Sequence, residues 1–274
     1  GVCALSALQT RRATPLPALA PRQRKPAIFV HVHKSGGTTV CEAAAAAHTN
    51  IPPWWAFCSS AKLQDYVTDA RGGQSPASQR ENLTCAQRFS EHGEASWNSI
   101  EHALCGGDVC LGLFSYSTVL RETIDRIRSQ VNFEGPTDVD AVIACIREPG
   151  ATACDARKMH GTYMRSWLYF DNFLVRTFAG CDAMNLPPGA VNESHYQAAL
   201  DLLRQFDMVI PLEKLSSAAA LALMDRVWGW HVDPLGPPLV THEHRYDAGL
   251  SEEQVRLLKE INRFDIALTA SMAR

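Results

Sequence analysis

Lys34, Ser35, Gly36, Gly37, Thr38 and Thr39 stand in one unbroken run, behind the apolar segment 27–32 and ahead of an alanine-rich stretch. These residue types in this order build an anion cradle. Lys34 brings a full positive charge. Gly36 and Gly37 let the backbone approach a ligand that a Cβ would hold off. Thr38 and Thr39 add hydroxyl donors. The start of a helix adds free N–H groups and partial positive charge. The guest that suits such a cradle is a phosphate or a sulfate ester.

The nucleotide-triphosphate loop G-x-x-x-x-G-K-[ST] does not match, because Lys34 precedes the glycines and no Gly stands five residues before Gly36. The order His31-x-x-Lys34-Ser35-Gly36-Gly37-Thr38-Thr39 instead resembles the 5′-phosphosulfate loop of sulfotransferases that use 3′-phosphoadenosine 5′-phosphosulfate. It is similar to the Golgi carbohydrate group, which includes the heparan sulfate 6-O-sulfotransferases. Three later segments carry the same resemblance, over about residues 27 to 272. They are Ala141 to Pro149, read as a buried strand ending in Arg147-Glu148-Pro149; Asn172 to Gly180, with Asn172 and Arg176; and Phe206 to Leu215 followed by Trp228-Gly229-Trp230.

The resemblance implies a doubly phosphorylated adenosine clamped at both ends. His33, Lys34, Ser35, Gly36, Gly37, Thr38 and Thr39 would hold the 5′-phosphosulfate. Arg147 would grip the 3′-phosphate, where a guanidinium fork suits bidentate binding. The family pattern R-x-P-x-x-R-x-x-S then breaks down, since Thr152 and Asp155 occupy the later positions. Thr152 is the expected replacement contact, with Arg157, Lys158 and Ser166 as alternatives. Asn172 and Arg176, at i and i+4 on one helix face, serve either the cleft or the fold, and the structural role is favoured.

The reaction needs a group to neutralise the leaving phosphate, which is Lys34, and a base for the acceptor hydroxyl. Histidine suits neutral pH. His92, Glu94, Glu101 and His102 lie between the two phosphate motifs, and His33 is a further option. His102 and Glu101 are placed ahead. Trp54, Trp55, Trp97 and Tyr163 could stack on sugar rings, although large aromatics more often pack a core. His242 and His244 share a strand face but lack an evident third ligand, and no metal is expected.

A chain of 274 residues, 46% hydrophobic and 20% charged, fits one large globular domain. A net charge of −3 gives no global attraction to nucleic acid or to an acidic polymer. Residues 1–26, with Arg11, Arg12, Arg22, Arg24 and Lys25 among prolines, read as a stem, and 27–274 as a single sulfotransferase-like domain. No apolar run approaches a membrane span, and the Gly1 start leaves room for an anchor upstream. Nine cysteines and the sequons at Asn82 and Asn192 favour an oxidising lumen. The resemblance makes that the Golgi. Cys105–Cys110 and Cys154–Cys181 are the expected bridges.

The pattern predicts strands at 27–33, 109–116, 141–147 and 207–212. Helices are predicted at 38–48, 117–131 (capped by Ser117), 151–178, 197–206, 213–228 and from Ser251, where Gln254 completes a capping box. Leu258, Ile261, Phe264 and Leu268 form the last helix's apolar stripe. Alternating strands and helices imply an α/β, P-loop-like fold, with a mainly parallel sheet and helices on both faces. The leading reading is a sulfotransferase acting on a hydroxyl of a glycan. A catalytically degenerate anion- or glycan-binding protein of the same fold and a P-loop nucleotide kinase are the alternatives.

Overall fold

Side chains along a strand alternate between its two faces, and the first strand shows what this does here. Ala27 and Phe29 enter one core, while Ile28 and Val30 enter another. The computed structural model describes residues 25–47, 50–51, 58, 84–92, 95–105, 108–134, 137–148, 167–230 and 249–273. Strands β1 (Ala27–Val30), β2 (Trp97–Ile100), β3 (Ser115–Leu120) and β4 (Met208–Pro211) form one sheet in the order β2-β1-β3-β4. Every pairing is parallel, with Val30 opposite Ile100 on one side and Thr118 on the other.

Helices cover both faces, as the strand–helix alternation implied. On one face lie α1 (Gly37–Ala46) and α8 (Ala218–Trp228), packed on Phe29, Trp97, Val119 and Ile210. Trp97 is core, stacked on Phe29 and edge-on to Trp228. The other face carries α3 (Thr123–Glu134), α4 (Val139–Arg147), α5 (Phe173–Phe178), α7 (Glu193–Leu203), α9 (Glu252–Ile261) and α10 (Arg263–Met272). Two short helices complete the described set, α2 (Cys85–His92) and α6 (Cys181–Met184).

Two predicted elements change type. Residues 141–147 are not a strand. Val142, Ile143, Cys145 and Ile146 are buried while Ala144 faces water, a helical rhythm, and the Asp138 side chain caps α4 by accepting from the Ala141 N–H at 3.0 Å. A short apolar run suits either structure, and the cap decides it. Conversely, residues 117–120 are strand, and the helix begins only at Thr123. All six β3 residues are buried. Two of their hydroxyls are bonded in the interior: Thr118 Oγ1 donates to Val30 O at 2.8 Å, and Ser117 Oγ accepts from Trp228 Nε1 at 3.2 Å.

The clasp between α5 and α10 settles the role of Asn172 and Arg176. Asp265 accepts the Leu174 and Val175 N–H groups, and Asn172 Oδ1 accepts from Phe264 and Asp265, so each segment caps the other. Arg176 is fully buried, with donors on Asp171 and on the carbonyls of Ala183, Leu186 and Pro187. Both residues are structural. Ser251 and Gln254 form the expected capping box, and Leu258, Phe264 and Leu268 are buried. Asn192 caps α7, accepting from the Ser194 and His195 N–H groups. Its sequon therefore sits on an exposed helix start.

The disulfides are Cys41–Cys58, Cys85–Cys110 and Cys105–Cys181, and Cys145 is disulfide-bonded as well. The expected Cys105–Cys110 pair is wrong, and so is Cys181 with Cys154. The loop 101–114 lies between α2 and α6, so its two cysteines are drawn to opposite sides. Cross-linking lowers the entropy of the unfolded chain. Replacing Cys105 and Cys181 by Ser opens a link across 76 residues and should cost about 2–5 kcal/mol in urea unfolding. A loss below about 1 kcal/mol would contradict this role.

Candidate functional site

In a parallel sheet every strand ends at the same edge. Here that edge gathers the Lys34 loop after β1, Glu101 and His102 after β2, Arg121 after β3, and the 3₁₀ turn Leu212–Lys214 after β4. From β1 the chain continues to β2 on one side, and from β3 it continues to β4 on the other. The loops after β1 and β3 therefore part, leaving the crevice in which ligands of open α/β sheets bind. Across that crevice Arg121 Nη1 donates to Lys34 O at 3.4 Å.

The loop is built tightly. Gly36 has φ of 82° and stands at the N-cap of α1, where no side chain caps the helix. A Cβ on Gly36 would lie 2.6 Å from Leu212 Cδ1, and one on Gly37 would collide with the His31 ring. Lys34, although not glycine, has φ of 63°. Backbone strain of this kind concentrates at functional sites. Its ammonium lies 4.0 Å over the ring of Phe133, which is 56% exposed. The Ser35 hydroxyl is buried and makes no hydrogen bond among the described residues. Thr38 is half-buried and Thr39 buried in the first turn of α1.

Beside the loop lies a cleft lined by His31, His33, Glu101, His102, Tyr169 and Phe173, among others. His33 Nδ1 is 2.9 Å from Glu101 Oε1, and His31 Nδ1 is 3.5 Å from Glu101 Oε2. His102 Nδ1 donates to Ala103 O at 2.8 Å, with Asp108 Oδ2 at 3.6 Å. The Nε2 atoms of His33 and His102 are both buried without a hydrogen-bond partner among the described residues. Burial leads the shift at His33 and lowers its pKa from the usual 6.5; Glu101 opposes, while His31 and Lys34 reinforce. Burial also leads at Glu101 and pushes upward there, but His31, the His33 hydrogen bond and Lys34 together outweigh it, and its pKa falls from 4.5.

The segment after β2 is tied down at Cys105, Asp108 and Cys110. Besides its two disulfides, Asp108 pairs with the buried Arg88 and accepts the Cys105 N–H at 3.0 Å. Tyr116 donates its hydroxyl to Asp108 O and accepts from Cys110 N; burial pushes its pKa up to about 12. Behind the cleft, Arg126 of α3 is fully buried. It donates through Nη2 to Tyr169 O and lies 5.1 Å over Phe173. Its Nε and Nη1 lack partners among the described residues, as does the Thr123 hydroxyl.

The structure thus brings Lys34 to Thr39, His33, Glu101 and His102 to one edge. It does not bring Arg147 there as expected. Arg147 is an exposed residue in the last turn of α4, on the side of Glu253 of α9, whose pKa is lowered chiefly by its Arg256 hydrogen bond and least by Arg147. The strand that made it a phosphate ligand does not exist. His92 lies at the opposite edge, with Nε2 3.5 Å from Ala27 O at the start of β1. Thr152, Asp155, Arg157, Lys158, Ser166, Glu94, Trp54, Trp55, Tyr163, His242 and His244 lie outside the described residues.

Sequence reasoning did not single out Arg121, which the structure sets beside Lys34. The signal was present. Arg121, Arg126 and Ser129 stand at the first, sixth and ninth places of R-x-P-x-x-R-x-x-S, with Thr123 in the proline's place. Set against known families, the chain matches no family model. It matches no curated protein either.

Because His33 is neutral in the fold, lowering the pH protonates the unfolded chain first, and stability should fall as the pH drops below about 6.5. A His33→Gln variant should lose less stability between pH 6.5 and 5 than the wild type in urea titrations. Parallel curves for the two would contradict the lowered pKa.

Proposed function

We propose that this chain is a sulfotransferase that moves a sulfuryl group from 3′-phosphoadenosine 5′-phosphosulfate to a hydroxyl of a carbohydrate or related acceptor. The observation that carries the reading is the junction of two cationic turns, Lys34 and Arg121, across the crevice between β1 and β3.

The residues present fit such a donor. The Ser35 hydroxyl is buried without a partner among the described residues, and the α1 N-terminus is uncapped by any side chain. Lys34 and the 35–39 loop would hold the 5′ end, and Arg121 with Ser129 the 3′-phosphate, in place of Arg147. The donor supplies an activated sulfur, which bonds to the acceptor oxygen as its bond to the phosphate oxygen breaks. Lys34 turns from Phe133 to neutralise charge on the departing phosphate. His102 Nε2 accepts the hydroxyl proton, its Nδ1–H being fixed on Ala103 O. Glu101 is not the base itself, because both its oxygens face imidazoles. Positioning and electrostatics do the rest.

The disulfides favour an oxidising compartment, and the Golgi lumen is the proposed setting. No described helix is long and apolar enough to cross a membrane.

Calorimetry with 3′-phosphoadenosine 5′-phosphate should show one binding site. Arg121→Ala should weaken it about tenfold to a hundredfold, while Arg147→Ala leaves it unchanged. Lys34→Ala should cut transfer of labelled sulfate to glycans at least about a hundredfold. Absence of nucleotide binding, or binding of ATP with Mg²⁺ in its place, would contradict the assignment.

A further inference from the structure

Two demands fall on Asn192. It caps α7, and it opens the sequon Asn192-Glu193-Ser194. The cap uses only one end of its side-chain amide. Oδ1 accepts from the Ser194 N–H at 3.0 Å, the His195 N–H at 3.3 Å and the Ser194 hydroxyl at 2.7 Å. A backbone N–H cannot accept, so the atom facing these groups is the oxygen and not the nitrogen. Nδ2 therefore lies on the far side of the amide, and it makes no hydrogen bond among the described residues. Asn192, Glu193 and Ser194 are all exposed.

The chain reaches this point through a tight turn. Gly189 has φ of 71°, and the Ala190 N–H donates to Pro187 O at 3.2 Å. A Cβ on Gly189 would lie 2.8 Å from Ile146 O. Val191 is buried and anchors the segment. Asn192 follows in extended backbone, with φ of −131° and ψ of −178°, and its own N–H donates to His195 Nδ1 at 3.2 Å. Nδ2 is thus presented from a fixed base. The other sequon is arranged differently. The hydroxyl of its third residue, Thr84, is engaged by Gln87, donating to Oε1 at 2.8 Å and accepting from the Gln87 N–H at 3.2 Å. Asn82 itself lies outside the described residues.

We propose that Asn192 is an N-glycosylation site, taking an oligosaccharide on Nδ2 while Oδ1 keeps the cap of α7. The donor is an oligosaccharide carried on a polyprenyl diphosphate. Nδ2 bonds to the anomeric carbon as the bond from that carbon to the diphosphate oxygen breaks. The electron pair leaves with the diphosphate, and the amide gives up one proton to the transferring enzyme. The product amide retains its oxygen and one N–H, so no hydrogen bond of the cap is lost. A glycan is bulky and needs an exposed site, which the three sequon residues provide. Its attachment needs passage through a compartment of the kind that the disulfides favour. The inference is independent of the sulfotransferase reading.

The test is expression of the full chain behind a secretion signal in mammalian cells, followed by peptide mass mapping. The peptide that contains Asn192 should carry a hexosamine-containing glycan. Peptide-N-glycosidase in heavy-oxygen water should release it and leave a labelled aspartate at that position. Asn192→Asp and Ser194→Ala should both lack the glycan. Asn192→Asp keeps a cap of similar quality, so it separates loss of the sugar from loss of the fold. In hydrogen exchange the Ser194 and His195 amides should be equally protected in the glycosylated protein and in Asn192→Asp. In Asn192→Ala they should exchange about fivefold faster, as expected for a lost N-cap. An unmodified Asn192 peptide in the secreted, disulfide-bonded protein would overturn the proposal. Loss of protection at those two amides when the sugar is attached would overturn it as well.

Discussion

The contact on which the rest of this structure depends is the Arg121 guanidinium on the Lys34 carbonyl. It joins the turns after two neighbouring parallel strands at the place where the chain's path through the sheet reverses. Such a place has no chain of its own to fill it, because consecutive connections leave it on both sides. Two cationic residues converge there, with the uncapped start of α1 between the sheet and solvent. An anion with charge at two points is the complement proposed for that arrangement, and packing against Leu212 and the His31 ring holds positions 36 and 37 to glycine.

The second constraint is the fixing of the loop after β2. Left alone, a segment such as 101–114 would be a surface loop with many conformations. Here one disulfide ties it to α2 and another to α6, while Asp108 gathers Arg88, the Cys105 N–H and the Tyr116 hydroxyl beneath it. These ties follow directly on Glu101 and His102, and Glu101 Oε1 lies 2.9 Å from His33 Nδ1. Buried imidazoles with bare nitrogens are costly to maintain, and a stapled loop is the means by which this fold maintains them. Arg126 serves the opposite wall in the same way, bracing Tyr169 and Phe173 from behind.

Much of this was legible in the sequence. The loop after β1 was readable because glycine, lysine and threonine each have one evident purpose in that order. The capping box at Ser251 and the apolar stripe of the last helices followed from spacing alone. The parallel sheet followed from alternation of strand and helix. The strand expected at 141–147 is a helix and the helix expected from 117 begins as a strand, and the reason is physical. β3 carries Ser117 and Thr118, whose hydroxyls look exposed in a sequence but are bonded to the neighbouring strand. α4 carries an unbroken apolar run, Val142-Ile143-Ala144-Cys145-Ile146, that looks like a strand but turns on the Asp138 cap. Polarity and apolarity each misled where tertiary contacts overrode local pattern. The disulfide pairing and the His33–Glu101 contact depend on which loops meet, and sequence spacing holds no record of that.

Hydrogen exchange with and without 3′-phosphoadenosine 5′-phosphate tests the central claim most directly, because it reports both turns in one experiment. The account predicts joint slowing of exchange in residues 33–40 and 119–130, with 139–147 unaffected. Slowing confined to one of the two turns, or centred on 139–147, would contradict it.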